Sequence, residues 1–391
     1  MEKELKVAYI SIASLSDCDL PLIHELSRKM KVDYYLIATN ATRQGAVINI
    51  ELKSEGGVFS GTEYPELRSI EGWMDLSNVF IVNKPVEHDW GWLSFRVSWQ
   101  LMKMLKRGNY DIIHVTWPLR YSCFPLYVLR KRMILTMHDP IPHSSDETMQ
   151  NWFHRWCSIR LTPDFILLNK TQKKDFMERY NVSEERIHIS RLSIYTHLQH
   201  TVPAEPLCDK PYMLFIGSIQ PHKGIEYFCQ AMEQIVKENP DVHAVVAGKG
   251  QFYFDKRKYE ENPHYKFINR FITNEELASL ISNSIAVVCP YTDATQSGVV
   301  MSAFALNKPV IATNVGALPK MMEDNRHGFI VPPRDSKALE QAINQIIQPG
   351  TAEQMSENIR KDYSLGERSW GRIATEVYDI YKKIIENKRY L

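Results

Sequence analysis

Two segments of this chain carry residues whose types and spacing suit an anionic ligand. The first is Tyr291-Thr-Asp-Ala-Thr-Gln-Ser-Gly-Val-Val-Met-Ser-Ala-Phe-Ala-Leu-Asn-Lys-Pro-Val310. It reads as the end of a strand, a tight loop, an apolar helix and a second strand. Ser297, Gly298 and Val299 then offer backbone N–H groups at the positive end of a helix dipole, where anions bind readily. The Ser297 hydroxyl can assist, although an ordinary helix N-cap uses the same residue type. The second is Phe215-Ile-Gly-Ser-Ile-Gln-Pro-His-Lys-Gly224. It repeats the pattern, with a bend at Gly217 and Lys223 at the mouth of another helix. A lysine in a first helical turn opposes the dipole, so Lys223 is read as a diphosphate contact that offsets charge on a leaving group. Two phosphate-facing helix starts and one lysine imply a diphosphate.

The elements that must position these residues follow from periodicity. Short apolar runs alternate with amphipathic helical patterns along the whole chain, which predicts parallel α/β sheets. Strands are expected at 7–12, 34–38, 79–82, 112–116, 134–137 and 165–168, then at 213–216, 244–247, 267–269, 285–289, 310–313 and 329–331. Helical patterns include 20–29 and 171–179. The stretch 201–211 carries three prolines without periodicity and reads as a linker. A first domain over 1–200, a second over 212–366 and a terminal segment 367–391 result. The final helix, 369–387, is expected to cross back onto the first domain. Open α/β sheets bind ligands outside the carboxyl ends of their strands, and every motif above sits at such an end.

In the first half, His138 and Asp139 follow the strand 134–137 and so belong to that ligand edge. A neutral histidine there can donate to a ligand hydroxyl, with Asp139 orienting its ring. His143 follows two prolines, which already account for the turn. His114 and Asp111 flank the preceding strand and read as structural. The loop Ala13-Ser-Leu-Ser-Asp-Cys-Asp19 lacks glycine, so Ser14 is assigned only a lining role.

Composition narrows the class. The 391 residues suit two domains of about 200 each. A net charge of +1 gives no reason to expect nucleic acid. The six cysteines show no Cys-x-x-Cys pair and read as free thiols in a reducing cytoplasm. The acidic start lacks the pattern of a signal peptide, and no apolar run is long enough to span a bilayer. A cytoplasmic protein is expected, with the inner face of the plasma membrane as a second setting. Over 90–107, Trp92, Phe95, Trp99 and Met102 share one helical stripe, beside Arg96, Gln100, Lys103 and Arg107. Eight basic residues lie between positions 96 and 132, against one acidic residue, Asp111. The favoured reading is a sheet-covering helix whose aromatic stripe is core; the competing one is peripheral membrane contact.

These segments resemble the retaining glycosyltransferases of family 4, and the resemblance covers most of the chain. Gly217 with Lys223-Gly224 matches the family's glycine and lysine-glycine. Ala244-Val-Val-Ala-Gly-Lys-Gly250 matches its Gly-x-Gly strand end, Phe271-Ile-Thr-Asn-Glu-Glu-Leu277 its helix entry, and Asn314-Val-Gly-Ala-Leu-Pro319 its following turn. Ala294-Thr-Gln-Ser-Gly298, together with Thr136-Met-His-Asp-Pro-Ile-Pro-His143, is similar to a subgroup of bacterial polysaccharide assembly. The resemblance implies the GT-B fold, two doubly wound Rossmann-like domains facing across a cleft. It implies a nucleoside-diphosphate sugar donor and no cofactor or metal. Donor contacts would come from Gly217, Ser218, Gln220, Gly224, Gly248, Phe271, Ile272, Thr295, Gln296, Ser297, Gly298, Val299 and Ser302. Lys223, His138 and Asp293 would be catalytic, and Ser14, Asp139 and His143 would line the acceptor side.

The departures from the family are specific. Its two glutamates fall on Ala294 and Ser302, and its arginine after the glycine bend is Ser218. Asp293 stands one residue from the first lost glutamate and is assigned the sugar-facing role. Ser302 would bond a ribose hydroxyl more weakly than a carboxylate does. The expected activity is transfer of a sugar to a hydroxyl of a lipid-linked glycan in cell-surface polysaccharide synthesis. The lost carboxylates keep a non-catalytic nucleotide-sugar binder open, and a GT-B epimerase also remains.

Overall fold

The computed structural model describes residues 4–86, 91–138, 140, 149–168, 170–294 and 297–389. Asp139, His143, Thr295 and Gln296, all assigned to the site above, lie outside the described residues. The chain divides into two compact units, Met1–Leu192 with Trp370–Leu391, and Ser193–Ser369.

The first unit holds β1 (Lys6–Ile12), β2 (Lys31–Ala38), β3 (Gly57–Ser60), β4 (Val79–Asn83), β5 (Ile112–Val115), β6 (Met133–Met137), β7 (Asp164–Leu167) and β8 (Ile187–Ile189). They form one sheet in the order β3-β4-β2-β1-β5-β6-β7-β8. All neighbours pair in parallel except β3 with β4. The second unit holds β9 (Tyr212–Ile216), β10 (His243–Ala247), β11 (Tyr265–Ile268), β12 (Ala286–Cys289), β13 (Val310–Thr313) and β14 (Gly328–Val331). Their order is β11-β10-β9-β12-β13-β14, all parallel. Central strands such as Tyr-Met-Leu-Phe-Ile of β9 and Ala-Val-Val-Cys of β12 are buried along their whole length. That is what a parallel sheet covered on both faces requires. Each sheet reverses its direction of growth once, between β1 and β5 in the first and between β9 and β12 in the second. Such switch points leave a crevice at the carboxyl edge.

The terminal helix Trp370–Arg389 packs against α1 (Ser16–Ser27) in the first unit. Its buried residues Ile373, Ala374, Val377, Tyr381 and Ile384 recur at helical spacing. Tyr381 reaches into the sheet, where its hydroxyl bonds His114 Nδ1 at 2.5 Å; His114 Nε2 bonds Thr136 Oγ1 at 2.6 Å.

Two expectations are corrected. The break between units falls at residues 192 and 193, before the proline-rich stretch 201–211. Ile194 and Leu198 are buried in the second core, each contributing about 1.5–3 kcal/mol. Gln199 Nε2 donates to Ala305 O at 2.9 Å, and Ala204 N to Glu275 O at 3.0 Å. The second correction concerns α2 (Trp92–Gly108). Val97, Leu101 and Leu105 are buried in the first-unit core, and the small buried Ser98 faces the segment Tyr121–Arg132, its Oγ 3.7 Å from Cys123 Sγ. Trp92, Phe95 and Trp99 are instead 80%, 40% and 44% exposed. Only Met102 of the aromatic-side stripe is core.

Candidate active site

At the switch point of the second sheet, the loops after β9 and β12 interlock. Thr292 N donates to His222 O at 2.9 Å. A Cβ on Gly224, where φ is +63°, would stand 2.0 Å from Pro290 O. Gly248, at φ +146°, would place a Cβ 1.7 Å from Gly217 O. These glycines exist because backbone passes against backbone and the chain takes a left-handed turn. Gly217 lies next to the helix Gly298–Ala305, since a Cβ there would be 3.8 Å from Val299 Cγ2.

Lys223 occupies a short 3-10 turn, Pro221–Lys223, ahead of the helix Ile225–Glu238 rather than in its first turn. Its Nζ stands 3.9 Å from the centre of the Tyr291 ring. Burial draws its pKa below the usual lysine value, with the neighbouring Cys289 opposing. Burial also raises the Cys289 thiol to about 11, so it is neutral. Tyr291 is buried, with its hydroxyl 3.4 Å from Ser297 Oγ and its carbonyl accepting from Thr313 Oγ1 at 2.6 Å. Ser297 makes no side-chain cap bond to the helix that follows it. Its hydroxyl faces Tyr291, so the helix start at Gly298 carries no cap from that side chain.

The two helix starts therefore differ, which corrects the expectation of two open phosphate sites. Ile225 N donates to Tyr253 Oη at 2.9 Å, and that hydroxyl donates to the Glu226 carboxylate. A first-turn carboxylate already satisfies that dipole. The helix Gly298–Ala305 has no acidic residue in its first turn.

Other assigned residues gather on the same edge. Ser218 and Gln220 are exposed in the loop after β9. Phe271, 74% exposed, and the half-buried Ile272 follow β11. Gly248 N bonds Ile268 O at 3.0 Å and so joins that loop to the centre. Asp293 is exposed, and its charge acts on His222, whose pKa is lowered by burial and by Lys223 but raised by Asp293. Ser302 is nearly buried inside the helix from Gly298.

In the first unit a cavity of about 250 Å³ opens at its own switch point. Ser11, Ser14, Thr39, Thr42, Trp117 and Arg120 line it, beyond the ends of β1, β2 and β5. His138 lies elsewhere. It borders a void of about 20 Å³ with Tyr9, Asp19, His114, Thr136 and Trp370. Burial holds its imidazole neutral, with a pKa near 4, and takes His114 down to about 3.

Asp19 escaped the sequence reading. It sits in the first turn of α1, where an acidic residue needs no special explanation. Yet it is buried, accepting from Tyr9 Oη at 2.8 Å and from Ser11 Oγ. Thr116 Oγ1 donates to Ser11 Oγ at 2.7 Å, which ties β5 to the network. Burial lifts the carboxyl to about 7 although both hydroxyl donors oppose it.

Two Rossmann-like sheets, each with polar groups at its switch point, make up the GT-B architecture of glycosyltransferases. Comparison with known proteins agrees. The family described as Glycosyltransferase Family 4 matches residues 58–191, and Glycosyl transferases group 1 matches residues 210–349. The chain is a glycosyltransferase of family 4 and GT-B type. It is 23% identical over 352 residues to an uncharacterized glycosyltransferase of Methanocaldococcus jannaschii, covering 83% of this chain and 88% of the other. Sucrose-phosphate synthase of Thermosynechococcus elongatus superposes with a TM-score of 0.62 at 18% identity, over 98% and 100% of the two chains. HepE of Anabaena in complex with UDP gives a TM-score of 0.60 at 14% identity, over 99% and 100%. HepE has also been solved with UDP-glucose.

Proposed function

We propose that this glycosyltransferase is a retaining hexosyltransferase. It moves a sugar from a nucleoside-diphosphate donor to a hydroxyl of a lipid-linked glycan, in cell-surface polysaccharide synthesis at the cytoplasmic face of the membrane. One observation supports this above the others: Lys223 stands at the switch point of the second sheet beside the uncapped helix start at Gly298. A diphosphate there would meet one cation and a set of preorganised amides. Both strengthen their hold as the sugar–oxygen bond breaks and negative charge grows on the departing phosphate.

With no protein nucleophile assigned, the reaction runs on one face of the sugar. The departing phosphate oxygen takes the proton of the acceptor hydroxyl. The new carbon–oxygen bond forms on the side from which the old one leaves. Asp293 accepts from a sugar hydroxyl, and neutral His138 donates to another. Lys223 and the helix amides do the electrostatic work that a divalent metal does in other transferases, so neither metal nor cofactor takes part. The first-unit cavity lined by Ser14, Trp117 and Arg120 takes the acceptor.

The test is turnover of UDP- and GDP-sugars with a glycolipid acceptor, with the product anomer read by NMR; UDP comes first because HepE binds it. A product of inverted configuration would overturn retention. The absence of carboxylates at Ala294 and Ser302 favours a second reading, a nucleotide-sugar binder without turnover. Tight nucleotide binding with neither transfer nor epimerised donor would establish that reading instead.

A further inference from the structure

Two helices of the first unit present the same arrangement to solvent. On α2, the exposed Trp92, Phe95 and Trp99 occupy the first half, and the exposed Lys103, Lys106 and Arg107 the second. On α3 (Met149–Leu161), Trp152, Phe153 and Trp156 are 53%, 36% and 42% exposed, and the exposed Arg160 follows them. The rings stack along each helix, Phe95 on Trp99 at 6.5 Å and Trp152 on Trp156 at 6.3 Å. Each stack ends in a cation, Lys103 Nζ 6.0 Å from the Trp99 ring and Arg160 Cζ 6.0 Å from the Trp156 ring.

Topology places the two stacks together. Both helices lead from one parallel strand to another, so each begins at the carboxyl edge of the sheet and runs back. Both connections step in the same direction across the sheet, and right-handed crossovers then put both helices on one face. The segment Tyr121–Arg132 bridges them. Ser98 Oγ approaches Cys123 Sγ at 3.7 Å on one side, and the Tyr121 and Phe153 rings lie 5.5 Å apart on the other. Aromatic halves therefore share the carboxyl edge, where half-exposed Trp117 also lines the first-unit cavity. The basic halves form a band behind them.

We propose that this face seats the protein on an anionic lipid bilayer. Its tryptophans and phenylalanines enter the interface, and its lysines and arginines lie over the headgroups. The proposal rests on the reading of a lipid-linked acceptor and deepens it, because the seated face carries the cavity mouth to the bilayer. Tryptophan favours the membrane–water boundary, and basic residues near the surface add attraction to anionic lipid. Charge complementarity selects lipid over a second copy of the chain. From 92 to 161 ten lysines and arginines stand against four acidic residues, Asp111, Asp139, Asp146 and Glu147, so a symmetric dimer would set two net-positive segments together. No described helix is long and apolar enough to cross a membrane, so the contact is a surface one.

The test is co-sedimentation with vesicles of phosphatidylcholine, alone or with about a third phosphatidylglycerol, at low and high salt. The full chain should bind the anionic vesicles, with a blue shift of tryptophan emission, and at least about tenfold more weakly without phosphatidylglycerol or in high salt. The pairs Trp99→Ser with Trp156→Ser, and Lys103→Glu with Arg160→Glu, should each weaken binding at least about fivefold. Thermal unfolding and UDP affinity by calorimetry should stay unchanged in both. Wild-type protein that ignores anionic vesicles at low salt would overturn the proposal. So would variants that bind as wild type does, or a sedimentation dimer that the tryptophan pair abolishes. Vesicle binding without any nucleotide binding would support this surface while overturning the transferase reading.

Discussion

The ammonium of Lys223 stands 3.9 Å from the centre of the Tyr291 ring, across the switch point where β9 and β12 pair. The ring offers a partly desolvated cation a partner worth about 0.5–2 kcal/mol. Unlike a carboxylate, the ring does not neutralise the ammonium charge, which stays available to a phosphate. Tyr291 passes the arrangement on, because its hydroxyl faces Ser297 at the start of the next helix. Lysine and helix amides are thus held by one buried aromatic side chain.

Lys223→Ala should lower turnover by roughly a hundredfold or more, the size expected for losing one strong charge stabiliser. Steady-state kinetics beside thermal unfolding checks this. Activity within about threefold of wild type in a folded variant would remove Lys223 from the mechanism.

Gly248→Ala should destabilise the second unit by at least about 3 kcal/mol. The added Cβ would sit 1.7 Å from Gly217 O, at a φ of +146° that alanine rarely adopts. The obstruction is backbone on both sides, so no side chain can move aside. Urea unfolding measures the loss; a change below about 1 kcal/mol would mean that the loops yield.

Asp293→Asn should reduce turnover more than it weakens binding of the free nucleoside diphosphate. Its proposed partner is a hydroxyl of the donor sugar, which the free nucleotide lacks. A charged acceptor also gains strength as positive charge builds at the anomeric carbon. Kinetics and calorimetry on the same two proteins decide it. Equal losses in both would assign the residue to loop structure.

Asp19 should make stability fall as pH rises from about 4 to about 7. The folded carboxyl keeps its proton to about 7, whereas the unfolded chain releases it near 4. Between these values the folded state binds more protons, so ionisation disfavours it, by on the order of 3 to 4 kcal/mol across the window. His114 and His138 act in the opposite sense, since their folded pKa values lie below that of a free histidine and stability is lost as pH falls below about 6.5. Asp19→Asn removes only the first effect. Comparing urea unfolding of the two proteins at about pH 4.5 and 7.5 isolates it; a difference that does not shrink toward pH 7.5 would contradict the buried carboxyl.

What the sequence by itself determined is local. The apolar run of β12 and the five-residue run of β9 announce strands because both faces of a parallel sheet are covered. Gly217 and Gly224 announce turns because few other residues tolerate their positive φ, and Ser297-Gly298 announces a helix start. The edge strands Gly57–Ser60 and Ile187–Ile189 were not legible, being short and paired on one side only. Tertiary structure decided what depends on distant partners. Lys223 meets Tyr291 because the sheet order sets β9 beside β12. Tyr253 closes one helix start and leaves the other open. Residues 193–200 join the second core through Ile194 and Leu198, although nothing in their spacing says which sheet they serve. Trp92, Phe95 and Trp99 face water because Val97, Leu101 and Leu105 claim the core. Two stripes on one helix can both be apolar, and only the packing of Val97, Leu101 and Leu105 into the core selects between them. Asp19 looks like an ordinary first-turn acid until β1, β5 and the terminal helix close around it and withdraw its water.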